Sequence, residues 1–292
     1  MNGLSICIPV FNFNCIESVK ELSKQLETHN INAEILVIDD ASSVMLTELA
    51  KFITPIYRYE KLAKNIGRAK IRNRLAEKAK FDNILFIDGD SSIPKKFIKN
   101  YCLAIENYPN QIICGGTIHH PPNNQKTRLR YNYGVRFEYK KVFIRNQASY
   151  HNFRPNNFII KKNLLKQIPF NEKINKYGHE DTFFAYELKK NNIKIIHIDN
   201  PVIHLDSDTN DEYITKTKHS IENLILLKTQ YPGFISFSNL LSFVSKFKFL
   251  QFKIVKKTSS YLSKLFEIIT KKTSNSYVFQ LFKFFYLISI SE

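Results

Sequence analysis

The sequence predicts an α/β fold: a mostly parallel central sheet flanked by helices, with a helical C-terminal appendage. Three observations predict it. β-prone apolar runs alternate with segments of helical spacing from residue 4 to residue 118. The runs are near-continuous in apolar residues, as strands covered on both faces are. After Pro232 the composition changes: Phe and Tyr are dense, and nine lysines stand against only Glu267 and Glu292.

The elements follow in order. LSICIPV (4–10) is the first strand. Residues 16–29 carry Ile16, Val19, Leu22 and Leu26 on one helical face. AEILVID (33–39) is a second strand, 44–53 a helix, IYRYE (56–60) a short strand and 67–80 a basic helix. NILFID (83–88) is the fourth strand. A helix opened by Pro94 covers 95–107, and QIICGGTI (111–118) is a fifth strand. Strands alternating with helices imply βαβ units. Residues 119–157 are irregular. FIIKKNLLKQI (158–168) reads as a strand running into a helix. A helix at 182–192, a strand at 194–199 and PVIHLDSD (201–208) follow. In FSNLLSFVSKFKFLQFKIVKK apolar and basic residues alternate as in amphipathic helices. The expected division is 1–117, 118–232 and 233–292.

The chain has 292 residues, with 43% hydrophobic and 24% charged. That is ordinary for a globular protein and argues against disorder. The charge is not ordinary: 43 basic residues against 26 acidic give +17, which favours an anionic partner. Cys7, Cys15, Cys102 and Cys114 form no CxxC pair and no metal-ligand spacing. A reducing cytosol is therefore expected. The N-terminus runs straight into a strand, so no signal peptide is expected. No apolar stretch reaches the ~18 residues of a membrane span.

Ligands of such sheets bind at the carboxyl ends of the strands. Three strands here end in distinctive polar groups. DGD (88–90) closes the fourth strand. Asp-Gly is a strong turn signal. Two carboxylates one residue apart also suit a hard cation and the oxygens of a diphosphate. PVFN (9–12) reads either as a plain turn or as a pocket wall, with Phe11 against a base. It contains no Gly-rich phosphate loop. In DDAS, Asp40 can accept from the imide N–H of a pyrimidine, or Asp40 or Ser42 can cap a helix. Arg68 and Arg72 share one face of a helix that begins after Gly67. They suit a diphosphate at a helix N-terminus, or simply a solvated face. In GHED (178–181), Glu180 and Asp181 either complement a helix start or supply a general base. His204 is a packed histidine, or a neutral imidazole ligand if a cation is present.

Individually these features are open, but their order is specific. ICIPVFN, ILVIDDAS, NIGRAKIRN, LFIDGD, GHEDTFFAYEL and NPVIHLD together resemble the family 2 glycosyltransferases, over about residues 4–206. The stretch from GHED onward is also similar to galactosyltransferase-type enzymes. The resemblance implies the GT-A fold and inverting transfer of a sugar from a nucleotide diphosphate, most often UDP, to an acceptor hydroxyl. It implies Pro9, Phe11 and Asp40 at the base, and Arg72 near the diphosphate. It implies Asp90 on Mn²⁺ or Mg²⁺, Asp88 at the ribose or at water on the metal, and His204 completing the coordination. Asp181 is implied as the catalytic base, with Glu180 beside it. PVFN differs from the commoner PxYN, so Phe11 can stack but donates no phenolic hydrogen bond. By family habit the acceptor is a surface polysaccharide or a lipid-linked glycan.

Two other classes compete. A nucleotidyltransferase needs a Gly-rich basic loop after the first strand, and PVFNFN has none. A nucleic-acid binder is suggested by the charge, but no recognised module is present. The basic aromatic tail fits a peripheral contact with the cytoplasmic membrane, or helices packed on the core or at a dimer interface.

Overall fold

A computed structural model of the protein describes residues 3–122, 124–174, 177–205, 208–246 and 252–291. Two compact units emerge. One comprises Met1–Ile118, Lys140–Asn175 and Glu187–Leu205; the other comprises His119–Tyr139, Lys176–Tyr186 and Asp206–Glu292.

The first unit is built on a seven-stranded sheet. Its strands are β1 (Leu4–Val10), β2 (Ala33–Asp39), β3 (Tyr57–Lys61), β4 (Asn83–Ile87), β6 (Ile112–Cys114), β8 (Asn157–Lys161) and β9 (Ile195–His197). Their order is β3-β2-β1-β4-β8-β6-β9. All are parallel except β8, which runs antiparallel to both β4 and β6. The helices α1 (Ile16–Thr28), α2 (Thr47–Lys51), α3 (Arg68–Lys78) and α4 (Phe97–Asn107) connect the first strands. Leu4, Ile6, Val19, Leu22, Ile35, Leu85 and Phe97 form part of one buried core. Each such side chain contributes roughly 1.5–3 kcal/mol of burial. The apolar runs of the sequence are thus the strands buried on both faces.

The parallel register decides where the polar strand ends fall. Val10 lies opposite Asp39 and Cys7 opposite Phe86. The carboxyl ends of β2, β1 and β4 therefore sit side by side, with PVFN, DDAS and DGD on one rim.

Several expectations need correction. The helix expected at 44–53 is the single turn of α2. QIICGGTI is not one strand. It divides at Gly115-Gly116 into β6 and β7 (Thr117–His119), which belong to different sheets. A Cβ on Gly115 would stand 2.3 Å from the Asn200 carbonyl oxygen, and Gly116 has φ +92°. These are glycine positions where the chain turns. β7 joins β10 (Val202–His204) and the two-residue β5 (Ser91–Ser92) in a small second sheet. β5 was not legible as a strand. The 158–168 segment is a strand running into a helix, β8 and then α7 (Lys162–Gln167). The irregular middle also holds short helices, α5 (Arg128–Tyr133) in the second unit and α6 (Val142–Gln147) in the first.

The second unit is largely helical. It holds the start of α8 (Glu180–Lys190), then α9 (Asn210–Gln230), α10 (Asn239–Ser245), α11 (Lys253–Thr273) and α12 (Ser276–Ile290). A capping box between Thr209 and Glu212 starts α9. Asn275 caps α12 through its side chain. Leu129, Ile214, Phe279 and Phe282 form this unit's core. Residues 233–246 and 252–291 group with 208–232. Part of the amphipathic stretch expected in the tail, 247–251, lies outside the described residues, as do Asp206 and Ser207 of PVIHLDSD. Among the described residues no helix is long and apolar enough to cross a membrane.

Candidate active site

The first group of candidate residues lies where β1 and β2 end. Asp39 is fully buried and accepts from the Ser42 N–H (2.8 Å), the Ser42 hydroxyl (2.6 Å) and the Tyr59 hydroxyl (2.9 Å). The Ser42 hydroxyl oxygen in turn accepts from the Asn12 N–H at 2.7 Å. Asn12 accepts from the Ser43 N–H at 2.8 Å. Asn12 and Ala41 both have positive φ, 53° and 62°. This network fixes the loop around Pro9 and Phe11, and leaves Phe11 half exposed (53%) beside it.

Asp40 is also buried. Its two carboxylate oxygens accept from the Ile66 N–H (2.7 Å) and the Gly67 N–H (3.0 Å). Its carboxylate therefore holds the loop that opens α3. Each oxygen keeps a lone pair for a further donor. Neither expected helix-capping role is seen: α2 begins at Thr47 and Ser42 serves Asp39.

Arg72 departs from a solvated basic face. Its side chain is 2% exposed and pairs with Asp88 at 2.7 Å. The guanidinium lies 5.6 Å from the centre of the Phe170 ring. One turn of sequence explains its rigidity. Asn73 donates to the Phe170 carbonyl (2.9 Å) and to Glu172 (2.9 Å), and accepts from the Phe170 N–H (3.1 Å). The ring under Arg72 is therefore clamped to the helix that carries Arg72.

DGD is a turn between β4 and β5. The Asp88 N–H donates to the Asn156 carbonyl of the segment leading into β8 (3.1 Å). A Cβ on Gly89 would lie 3.0 Å from Val10 Cγ2 and 3.3 Å from the Pro9 carbonyl oxygen. The glycine thus serves close approach to β1. The chain then pairs antiparallel with β10, Ser91 opposite His204. This pairing brings His204 Nε2 to 3.3 Å from Asp90 Oδ2. The Leu205 N–H also donates to the Asp90 carbonyl at 2.8 Å.

The two carboxylates of DGD thus have different neighbours, Arg72 for Asp88 and His204 for Asp90. Among the described residues no three His, Cys, Asp or Glu side chains gather in a metal-holding arrangement. A carboxylate with an imidazole suits Mn²⁺, and suits Mg²⁺ through the carboxylate. Two protein donors leave the other positions to diphosphate oxygens and water. The residues present fit such an ion.

GHED belongs to the second unit. Gly178 and His179 both have positive φ, 89° and 68°. A Cβ on Gly178 would stand 2.5 Å from the Ser220 hydroxyl oxygen of α9, and Asn223 of α9 donates to the Gly178 carbonyl at 2.5 Å. The turn is thereby pinned to α9. α8 follows at once. Glu180 is 4% exposed. Asp181 is half-buried and accepts from its neighbour Thr182, from the N–H at 2.6 Å and from the hydroxyl at 3.1 Å. Phe183 anchors the helix against Tyr231 at 4.5 Å and Phe234 at 5.7 Å.

Of the expected residues, Pro9, Phe11, Asp40, Arg72, Asp88, Asp90 and His204 fall on or beside one rim of the first unit. Glu180 and Asp181 belong to the second. Sequence reasoning gave no role to Asn12, Asp39, Tyr59, Asn73, Asn156 and Asn223. Three of these gave a signal, because Asn12, Asp39 and Asn73 lie inside the PVFN, DDAS and NIGRAKIRN motifs.

A mostly parallel sheet with one antiparallel strand, a DGD turn at its rim and a second small sheet is the GT-A fold of sugar-transferring enzymes. The chain belongs to glycosyl transferase family 2, whose model matches residues 5–183. Solved structures share the fold at low identity. S. aureus TarS, residues 1–349, superposes with a TM-score of 0.53 at 17% identity, covering 98% of this chain and 90% of that one. The same TarS portion in complex with UDP-GlcNAc gives 0.54 at 17% identity, with the same coverage. A mannosyltransferase from Pyrobaculum calidifontis, in complex with GDP-Man and Mn²⁺, gives 0.57 at 12% identity, covering 98% and 85%. No curated protein matches the chain.

Proposed function

We propose that this glycosyltransferase moves a sugar from a nucleotide diphosphate, a UDP-sugar by preference, to an acceptor hydroxyl with inversion, using a divalent cation. The observation that carries the reading is the rim of β4. There a buried arginine paired with Asp88 stands beside the Asp90–His204 pair. Support also comes from the neighbours, of which one holds UDP-GlcNAc and another GDP-Man with Mn²⁺.

The chain's residues then act as follows. Phe11 stacks on the base, Pro9 walls its pocket and the remaining lone pairs of Asp40 meet its N–H groups. Arg72 is always cationic and faces the diphosphate, while Asp88 orients the guanidinium and meets the ribose. Asp90 and His204 hold Mn²⁺ or Mg²⁺. When bound, the ion stabilises the charge that develops on the leaving diphosphate. Asp181 takes the proton of the acceptor hydroxyl, and Glu180 supports acceptor or donor hydroxyls. A single carboxylate base implies one displacement and inversion.

In this reading residues 1–117 serve the donor and 118–232 the acceptor, a surface polysaccharide or lipid-linked glycan. The protein works in the cytosol, with 233–292 in peripheral contact with the inner face of the cytoplasmic membrane.

The test is donor binding and turnover across a panel of nucleotide sugars, with Mn²⁺ and with EDTA. Asp90→Ala is expected to lose the cation-dependent part of donor binding. Asp181→Asn is expected to keep donor binding and lose transfer. Near-wild-type turnover in Asp181→Asn refutes the base, and binding indifferent to EDTA refutes the cation.

A further inference from the structure

α11 carries more apolar surface than its packing on its own unit covers. Its buried positions are small and polar: Ser259 (2% exposed), Ser263 (5%) and Thr270 (0%). Val255, Leu262, Phe266 and Ile269 are half-buried, with Phe266 stacked on Phe285, but the other large apolar side chains face outward: Ile254 (76%), Tyr261 (65%), Leu265 (51%) and Ile268 (53%). At 100° per residue these four fall within about 60° of one another. They make one continuous stripe along the helix.

Charge borders that stripe. Lys257 and Lys264 are exposed and run along one side of it, and exposed Lys272 closes its C-terminal end. The helix's single acid, Glu267, is 18% exposed and is committed to Lys218 (2.7 Å) and Lys271 (3.3 Å). The outward face is therefore apolar and cationic, with no exposed acid.

A second copy of the chain is a poor occupant. It would bring the same lysine row against itself in a protein of net charge +17, and like charges repel. An anionic lipid surface matches both properties: phosphate headgroups meet the lysines, and the acyl boundary takes Ile, Tyr and Leu. The helix is amphipathic and does not span, as a segment lying in the interface plane should be.

We propose that the outward face of α11 lies on anionic lipid, with Ile254, Tyr261, Leu265 and Ile268 in the interface and Lys257, Lys264 and Lys272 over the headgroups. This deepens the membrane contact assigned above to 233–292, and is independent of the assigned catalytic residues.

The experiment is co-sedimentation of the full chain with vesicles of phosphatidylcholine alone and with added phosphatidylglycerol. Wild type is expected to partition onto the anionic vesicles and weakly onto the neutral ones. The triple variant Tyr261→Ser, Leu265→Ser, Ile268→Ser should lose tenfold or more. Lys257→Gln with Lys264→Gln should lose about fivefold per lysine. Leu103→Ser, an exposed apolar residue of α4 in the first unit (51%), should change nothing. Thermal melts establish that each variant is folded. If the wild type binds and the triple variant binds equally, the α11 face is refuted while membrane contact elsewhere in 233–292 stands. If the wild type binds no vesicle, both fall. If sedimentation velocity shows a dimer that the triple variant dissolves, the face is a self-association surface and the proposal is overturned.

Discussion

Acidification should destabilise this protein through one buried histidine. His197 ends β9 and is 2% exposed. Its Nδ1 lies 3.2 Å from Arg145 Nη1. An arginine can only donate, so Nδ1 must carry the lone pair. The proton then sits on Nε2, which donates to the Ser149 carbonyl at 2.9 Å. Arg145 is held by the Gly115 carbonyl (3.2 Å) and the Ile198 carbonyl (2.8 Å), so it cannot withdraw without further loss. Protonation would place an Nδ1–H against a fixed guanidinium. Burial above all, with the charges of Arg145 and Arg154, pulls the pKa from 6.5 down to about 4, while the bond to Ser149 opposes the shift.

The sign follows from proton counting. Between those two values the unfolded chain binds the proton and the folded chain does not. Stability is fully present above the unfolded value and falls as pH drops through the window. At pH 5 the loss from this group is roughly 2 kcal/mol relative to pH 7.5, at about 1.4 kcal/mol per pH unit. Urea denaturation followed by circular dichroism at the two pH values measures it. His197→Gln removes the titration, so its loss between pH 7.5 and pH 5 should be smaller than wild type's by that amount, whatever its starting stability. Equal losses in the two proteins would refute the account.

Three further perturbations test other parts. Gly116→Ala forces an L-residue to φ +92° and sets a Cβ 2.7 Å from Arg145 Nη1, so it should destabilise by about 2 kcal/mol or more in the same denaturation assay. Thr209→Ala removes a capping box at an exposed helix start and should cost about 1 kcal/mol, read as a lowered melting temperature. Arg72→Lys keeps the charge but loses the planar group held by Asp88 and stacked over Phe170, so donor affinity by calorimetry should fall about tenfold; unchanged affinity would remove Arg72 from the donor site.

Much of the rim of the first unit was legible because its signals are local. A parallel sheet makes apolar runs stop abruptly, and the residues after each stop are where polar groups can meet a ligand. PVFN, DDAS, DGD and the basic helix all show that punctuation. What failed was equally physical. QIICGGTI has the composition of one strand, and only the close approach of Gly115 to Asn200 requires it to break. β5 is two serines, without propensity or period, and exists because β10 arrives beside it.

The sequence by itself determined the alternation of strands and helices, the order of the motifs and hence the family, the excess of positive charge and the change of character after Pro232. These are properties of composition, period and spacing along the chain. Tertiary structure alone decided the partners. It set Arg72 on Asp88 and His204 on Asp90, gave the Asp40 carboxylate to the loop before α3, and pinned GHED to α9 through Asn223. It also turned the apolar stripe of α11 outward. An amphipathic pattern names two faces, and only the packing of α11 against α12, with Phe266 stacked on Phe285, selects which face is left to the surroundings.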